Sequence, residues 1–193
     1  MLTRCKKGRS SSRSLWMFIA GAAGGVLVSR VLPPFAAQAS GAVRAAAGRD
    51  PFETLIRQHR ELLSLLDRME AAPADSPVRR IALLLRFKRT IAKHALAEED
   101  IVYPLLHDDA GRADATKQLY DEHADMKIHL FELQRSVKNQ EAWLKHLEAL
   151  RSEIERHARQ EEEVEFPHLR SQMDEAKTSR LARKIQQEEA LIL

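Results

Sequence analysis

Apolar residues recur along the chain at helical spacing, in four stripes that share one plan. Phe52, Leu55, His59, Leu62, Leu66 and Met69 fall three or four residues apart, which is the seam of a bundle helix. A second stripe carries Leu84, Phe87, Ile91, His94, Glu98 and Ile101, with Leu105 beyond it. The third holds Leu119, His123, Met126, Leu130, Leu133 and Val137, and the fourth Trp143, Leu147, Leu150, Ile154, His157, Glu161 and Val164. Asp50-Pro51-Phe52-Glu53 has the form of a capping box with proline in the first helical position, and Ser76-Pro77 repeats the N-cap and proline. Pro73 ends the first helix. Pro104 is expected to kink or end the second, Gly111 to break the chain, and the fourth to run up to Pro167. Short connections favour antiparallel neighbours, so residues 50–172 are predicted to form an all-α, up-down-up-down four-helix bundle. Residues 173–193 are charged and helix-prone, with Leu181, Ile185 and Leu191–Leu193 as packing residues of an extra C-terminal helix.

Charge changes the picture at the N-terminus. Residues 1–49 contain eight basic side chains and no acid, so from Asp50 onward acids outnumber bases by five. The overall positive charge belongs to the leader, and a mildly acidic body gives no nucleic-acid footprint. Five basic residues precede the apolar run LWMFIAGAAGGVLV (15–28), and AQA stands before Ser40, the form of a signal peptide. Read as far as Leu32 the run approaches membrane-helix length, with Gly21 and Gly25 in GxxxG spacing. Residues 1–35 therefore read as a signal peptide or, preferred for its Arg30 and Pro33-Pro34, an uncleaved membrane anchor. Residues 36–49 then form a linker. The positive-inside rule places the bundle across the membrane, at the cell envelope or periplasm; the alternative is a disordered, Ala/Gly-rich tail on a cytoplasmic protein. The single cysteine, Cys5, excludes an intrachain disulfide and a thiolate metal site.

The candidate chemistry lies on the seams. HALAEEDIVYP at residue 94 recurs as HARQEEEVEFP at 157, and a lone seam histidine precedes each, His59 and His123, at nearly the same distance. The body is two helix pairs of one design, each offering a lone His and a His-x3-Glu. A buried, unpaired carboxylate costs several kcal/mol, on the order of 3–5. Two such carboxylates facing each other repel unless protonated or neutralised by cations. A dinuclear metal centre explains all six residues together: carboxylates bridge two cations and neutral imidazoles cap each.

With His59, His94-x3-Glu98, His123 and His157-x3-Glu161 on four helices, residues 50–170 resemble the hemerythrin-like (HHE cation-binding) domain family. The resemblance implies a non-haem centre of two iron ions, oxo- or hydroxo-bridged, inside an antiparallel bundle. It assigns His59 and His94 to one iron, His123 and His157 to the other, and Glu98 and Glu161 as bridges. The oxygen carriers of that family have a further histidine four residues after the third-helix histidine; here that position is Lys127, and its repeat mate is Leu63. Their last acidic ligand falls where Glu162 stands; Glu161 is preferred because it matches Glu98 in the repeat. Four protein ligands and a bridge leave about one open octahedral position on each iron. Two open irons favour reaction with dioxygen or a related small oxidant, such as peroxide or nitric oxide, over reversible oxygen transport. The alternatives are an iron-responsive or iron-holding protein without turnover, and a structural or partner-binding bundle. Glu99, Glu122 and Glu162 read as hydrogen-bond acceptors behind the imidazoles, as alternative ligands, or as solvated surface charges. Tyr103 and Tyr120 read as shaping the pocket or, preferred, as core packing, and His107, His129, His146 and His168 as surface residues.

Overall fold

The computed structural model describes residues 50–108 and 110–192, so the expected signal or anchor of residues 1–35 and the linker after it lie outside the described residues. Asp50 accepts from the Phe52 amide at 2.9 Å, and with Pro51 opens α1 (Pro51–Glu70). Pro77 opens α2 (Pro77–Ala97), although Ser76 makes no capping side-chain bond. Gly111, at φ 66, takes the left-handed turn that separates this helical arm from α4 (Ala113–Ser136). Asn139 caps α5 (Gln140–Gln160) through the Ala142 amide. All described elements are helical, as expected of an all-α bundle. Each of the four long helices packs on its two neighbours around the ring α1, α2, α4, α5. Among the described residues no helix is long and apolar enough to cross a membrane.

The arms after α2 and α5 depart from expectation. Neither helix stops at its proline. α2 passes into a π-helical turn π1 (Glu98–Val102) and continues as α3 (Tyr103–Asp108); α5 passes through π2 (Glu161–Glu165) into α6 (Phe166–Ser171). The Tyr103 amide bonds the Glu98 carbonyl and the Phe166 amide the Glu161 carbonyl, each reaching back five residues. In a regular α-helix a proline ring collides with the carbonyl four residues earlier, and the widened turn just before Pro104 and Pro167 provides another path. The widening rotates everything after it. Ile101 and Leu105, expected on the core face, are only half-buried, and Val164 is 47% exposed; Val102, Tyr103, Leu106, Glu165 and Phe166 are buried instead.

The core is two apolar clusters. One gathers Leu62, Leu66, Phe87, Met126, Leu133, Trp143 and Leu150 among others. The other gathers Phe52, Leu55, Val102, Tyr103, Leu119 and Phe166, and is capped by α7 (Glu175–Glu189) through Leu181 and Ile185. Leu191, expected to pack with the extra helix, lies beyond the end of α7 and is exposed. Each seam histidine falls between residues of the two clusters along its own helix, so the histidines form a polar layer sandwiched in apolar packing. Away from that layer, fully buried Arg80 donates to the carbonyls of Val137 (3.1 Å) and Ala72 (3.5 Å) and lies over the Trp143 ring. It ties together the ends of α1 and α4.

Candidate metal centre

His59, His94, Glu98, His123, His157 and Glu161 are brought together, each at most 3% exposed. The rings pair as the repeat demands. His59 and His94 stand 4.5 Å apart between centroids, His123 and His157 4.7 Å, and His59 and His157 6.2 Å across the pairs. Each carboxylate bridges the pairs: Glu98 Oε2 is 3.1 Å from His94 Nε2 and 3.4 Å from His123 Nε2. Glu161 Oε2 is 3.2 Å from His59 Nε2 and 3.4 Å from His157 Nε2. Ligands at right angles on one ion, each bonded at about 2.1 Å, stand roughly 3 Å apart, so these spacings suit shared cations.

The residues fit a metal on a second count. His59 Nε2, His94 Nε2, Glu98 Oε1 and Glu161 Oε2 are buried with no hydrogen-bond partner. Even at 3.2 Å, His59 Nε2 and Glu161 Oε2 do not align as a hydrogen bond. Buried polar atoms are seldom left unpaired, at about 1–3 kcal/mol each, and here four of them gather in one layer. The donor atoms of His59, His94, His157 and Glu161 lie within 4.8 Å of one another, as do those of Glu98, His123 and His157.

Behind each imidazole stands an acceptor that turns Nε2 inward. Nδ1 faces Glu162 from His59 (2.8 Å), Gln58 from His94 (3.0 Å), Glu99 from His123 (2.8 Å) and Glu122 from His157 (2.9 Å). The open reading of Glu99, Glu122 and Glu162 thus resolves toward acceptors. Gln58 had no part in the sequence reading, though a signal existed: Gln58 and Glu122 immediately precede the lone histidines, as Glu99 and Glu162 follow the seam glutamates. Glu161 faces the centre while Glu162 binds the back of His59. Lys127 bonds Glu99 at 2.9 Å, holding the acceptor behind His123 rather than entering the centre.

Tyr103 corrects the expectation of core packing. Its ring is buried, yet its hydroxyl donates to Glu161 Oε1 at 2.9 Å and lies 3.1 Å from His123 Nε2 and 3.5 Å from Glu98 Oε2. Its repeat mate is Phe166, whose ring lies parallel to that of His59, so only one half of the site carries a phenol. Tyr120 is also not core: it is 39% exposed and donates to the Glu99 carbonyl. His107 is exposed, while His129, His146 and His168 are half-buried rather than fully on the surface.

Electrostatics follow the outer partners. Burial alone lowers His59, but the Glu161 and Glu162 carboxylates outweigh it and raise it to about 9. Burial likewise opposes His123 and His157, and carboxylates raise both. His94, whose Nδ1 faces a neutral amide, is driven down to about 3 by burial. Burial pushes Glu98 and Glu161 up, and the surrounding histidines overcome it and hold both below the ordinary carboxylate range. Without metal, protons on imidazoles balance the two carboxylates.

A duplicated His/Glu layer of this form has a counterpart among known families: residues 50–169 match the model of the hemerythrin HHE cation binding domain. The chain belongs to that family. Family membership and the buried His/Glu cluster make it a metal-binding helical bundle of hemerythrin type. No curated protein and no solved structure matches the chain.

Proposed function

We propose that the bundle holds two iron ions and reacts with dioxygen or a related small oxidant, peroxide or nitric oxide. His59 and His94 would hold one ion, His123 and His157 the other, and Glu98 and Glu161 both. The observation that carries this reading is the placement of each carboxylate between histidines of opposite pairs, among buried donor atoms with no other partner. Iron in such a site supplies one-electron chemistry and open positions for a small oxidant.

The chain's own residues prepare for that chemistry. The outer acceptors hold four imidazoles with Nε2 inward, so little side-chain entropy remains to be lost on loading. Lys127 and Leu63 would supply no ligand, so both ions would share the same four-donor set. The two apolar clusters exclude water from the layer. Tyr103 keeps a proton on its phenolic oxygen, since burial raises it well above the ordinary phenol value, and that proton sits beside Glu161 and His123. The phenol would thereby be a proton source beside the His123 and His157 half of the site. The leader, read as an anchor or export signal, would place this reaction at the cell envelope.

The test is anaerobic loading of the full chain with ferrous iron, followed by iron analysis and optical spectra before and after air or peroxide. About two irons per chain and a new charge-transfer band on oxidation are expected. Fewer than about one iron per chain would overturn the di-iron reading. Full loading without spectral change would favour iron holding without turnover. Membrane fractionation and N-terminal sequencing of the mature chain test the leader.

A further inference from the structure

His94 is the one centre histidine whose outer partner is not a carboxylate. In the repeat its counterpart His157 has Glu122 behind it, while His94 has Gln58. The difference has a chemical consequence. A carboxylate only accepts, so it forces the proton onto Nδ1 and frees the Nε2 lone pair. An amide has two faces. With its oxygen toward His94 it does what Glu122 does; with its NH2 group toward His94 it would place the ring proton on Nε2 and block ligation there.

The choice of face is made from outside the bundle. Gln58 Nε2 donates to Glu189 Oε1 at 2.6 Å, and the acceptor takes the NH2 side, leaving Gln58 Oε1 for His94 Nδ1. Glu189 is the last residue of α7, which begins at an Asp174 cap and is seated by buried Leu181, Ala182 and Ile185 against α1, α2 and π1. Burial raises the Glu189 carboxyl, and the Gln58 bond with Lys93 and Arg57 nearby works in the opposite direction. The whole of α7 lies beyond residues 50–169, the span matched by the family model. The other half of the centre has no such dependence: Gln118, on the same helix as Glu122, bonds Glu122 at 3.0 Å.

We propose that α7 is a positioning element of the metal centre: Glu189 fixes the Gln58 amide, Gln58 fixes the His94 tautomer, and docking of α7 and loading of the metal at His94 each strengthen the other. The mutual dependence follows from linkage, since a contact that favours loading is favoured by loading to the same degree. This rests on the metal-centre reading above. It makes the two metal positions unequal, the His94 half answering to the state of the C-terminal helix and the His157 half not.

The test titrates the full chain with cobalt(II) against a competing chelator, and follows hydrogen exchange of the α7 amides with and without the metal. Wild type should bind two ions, and loading should slow exchange across α7. Glu189→Ala should weaken one of the two ions by about tenfold or more, in line with the loss of an outer partner of a ligating histidine, and leave the other unchanged. Gln58→Glu in the Glu189→Ala background should restore the weakened ion, because a carboxylate at position 58 orients His94 without help. That rescue separates a positioning role from a merely structural one, since the second substitution adds no packing for α7. Two ions of unchanged affinity in Glu189→Ala would overturn the inference while leaving the metal centre standing, and so would a weakened ion that Gln58→Glu does not restore. Failure of the wild-type chain to bind any cobalt would overturn the metal-centre reading itself.

Discussion

Tyr103→Phe removes one oxygen from the centre and almost nothing else, because the repeat already carries phenylalanine at the equivalent Phe166. The ring keeps its burial, and the hydroxyl loses a 2.9 Å bond to Glu161 in a layer closed to water. A hydrogen bond to a charged group contributes about 1.5–3 kcal/mol, and Glu161 Oε1 is left without that donor. For a domain of this size each kcal/mol moves the midpoint by roughly 2–4 °C, so the metal-free variant should melt about 3–12 °C below wild type. Circular dichroism on the metal-free full chain at neutral pH reads this directly. A loss under about 0.5 kcal/mol would refute the bond as a stabilising contact, placing the phenol where sequence alone put it, in passive packing. After iron loading the variant should still hold both ions, since the phenol is not among the six proposed ligands. Loss of an ion together with the hydroxyl would make Tyr103 a ligand and overturn its reading as a proton source.

Four further outcomes follow from the same geometry. Glu98→Ala should lower iron per chain and abolish most of the thermal gain on loading; an unchanged stoichiometry by metal analysis would remove Glu98 from the centre. Metal-free stability should peak near pH 6.5. His59, raised to about 9, contributes stability that is complete below 6.5 and is lost as pH climbs through 9; His94, lowered to about 3, contributes stability that is lost as pH falls from 6.5 toward 3. Denaturant titrations from pH 4 to 10 would contradict this if the midpoint stayed flat above 6.5. Arg80→Ala, well away from the histidine layer, should cost about 3 kcal/mol or more through a cavity and two lost carbonyl bonds, yet leave metal content unchanged. Lys127→Met should change stability by less than about 1 kcal/mol, because the lysine end of its pair with Glu99 is 62% exposed, and iron content should be unaffected.

Much was legible in the sequence because helical periodicity and internal repetition are local signals. The seams at residues 52–69, 84–98, 119–137 and 143–161 are buried as the 3-4 spacing required, and the matched registers of His59 with His123 and of His94-x3-Glu98 with His157-x3-Glu161 put six side chains in one layer. Preferring Glu161 over Glu162 needed only the repeat, and the structure turns Glu161 inward and Glu162 to the back of His59.

What the sequence could not decide begins where the 3.6-residue period stops holding. The π turns before Pro104 and Pro167 rotate the chain beyond Glu98 and Glu161, so Ile101, Leu105 and Val164 leave the core face and Tyr103 enters the centre. Propensity and pattern count residues along a regular helix, and they carry no record of one hydrogen bond reaching back five residues instead of four. The acceptors behind the imidazoles were undecided for another reason: whether a glutamate next to a ligand points to solvent or to a neighbouring helix depends on how the helices are rotated about one another, which is set by packing. Gln58 and Glu189 are the extreme case, 131 residues apart and joined at 2.6 Å only because α7 folds back over α1 and α2. The repeat therefore determined which residues form the layer, and tertiary packing determined which of them is held from outside it.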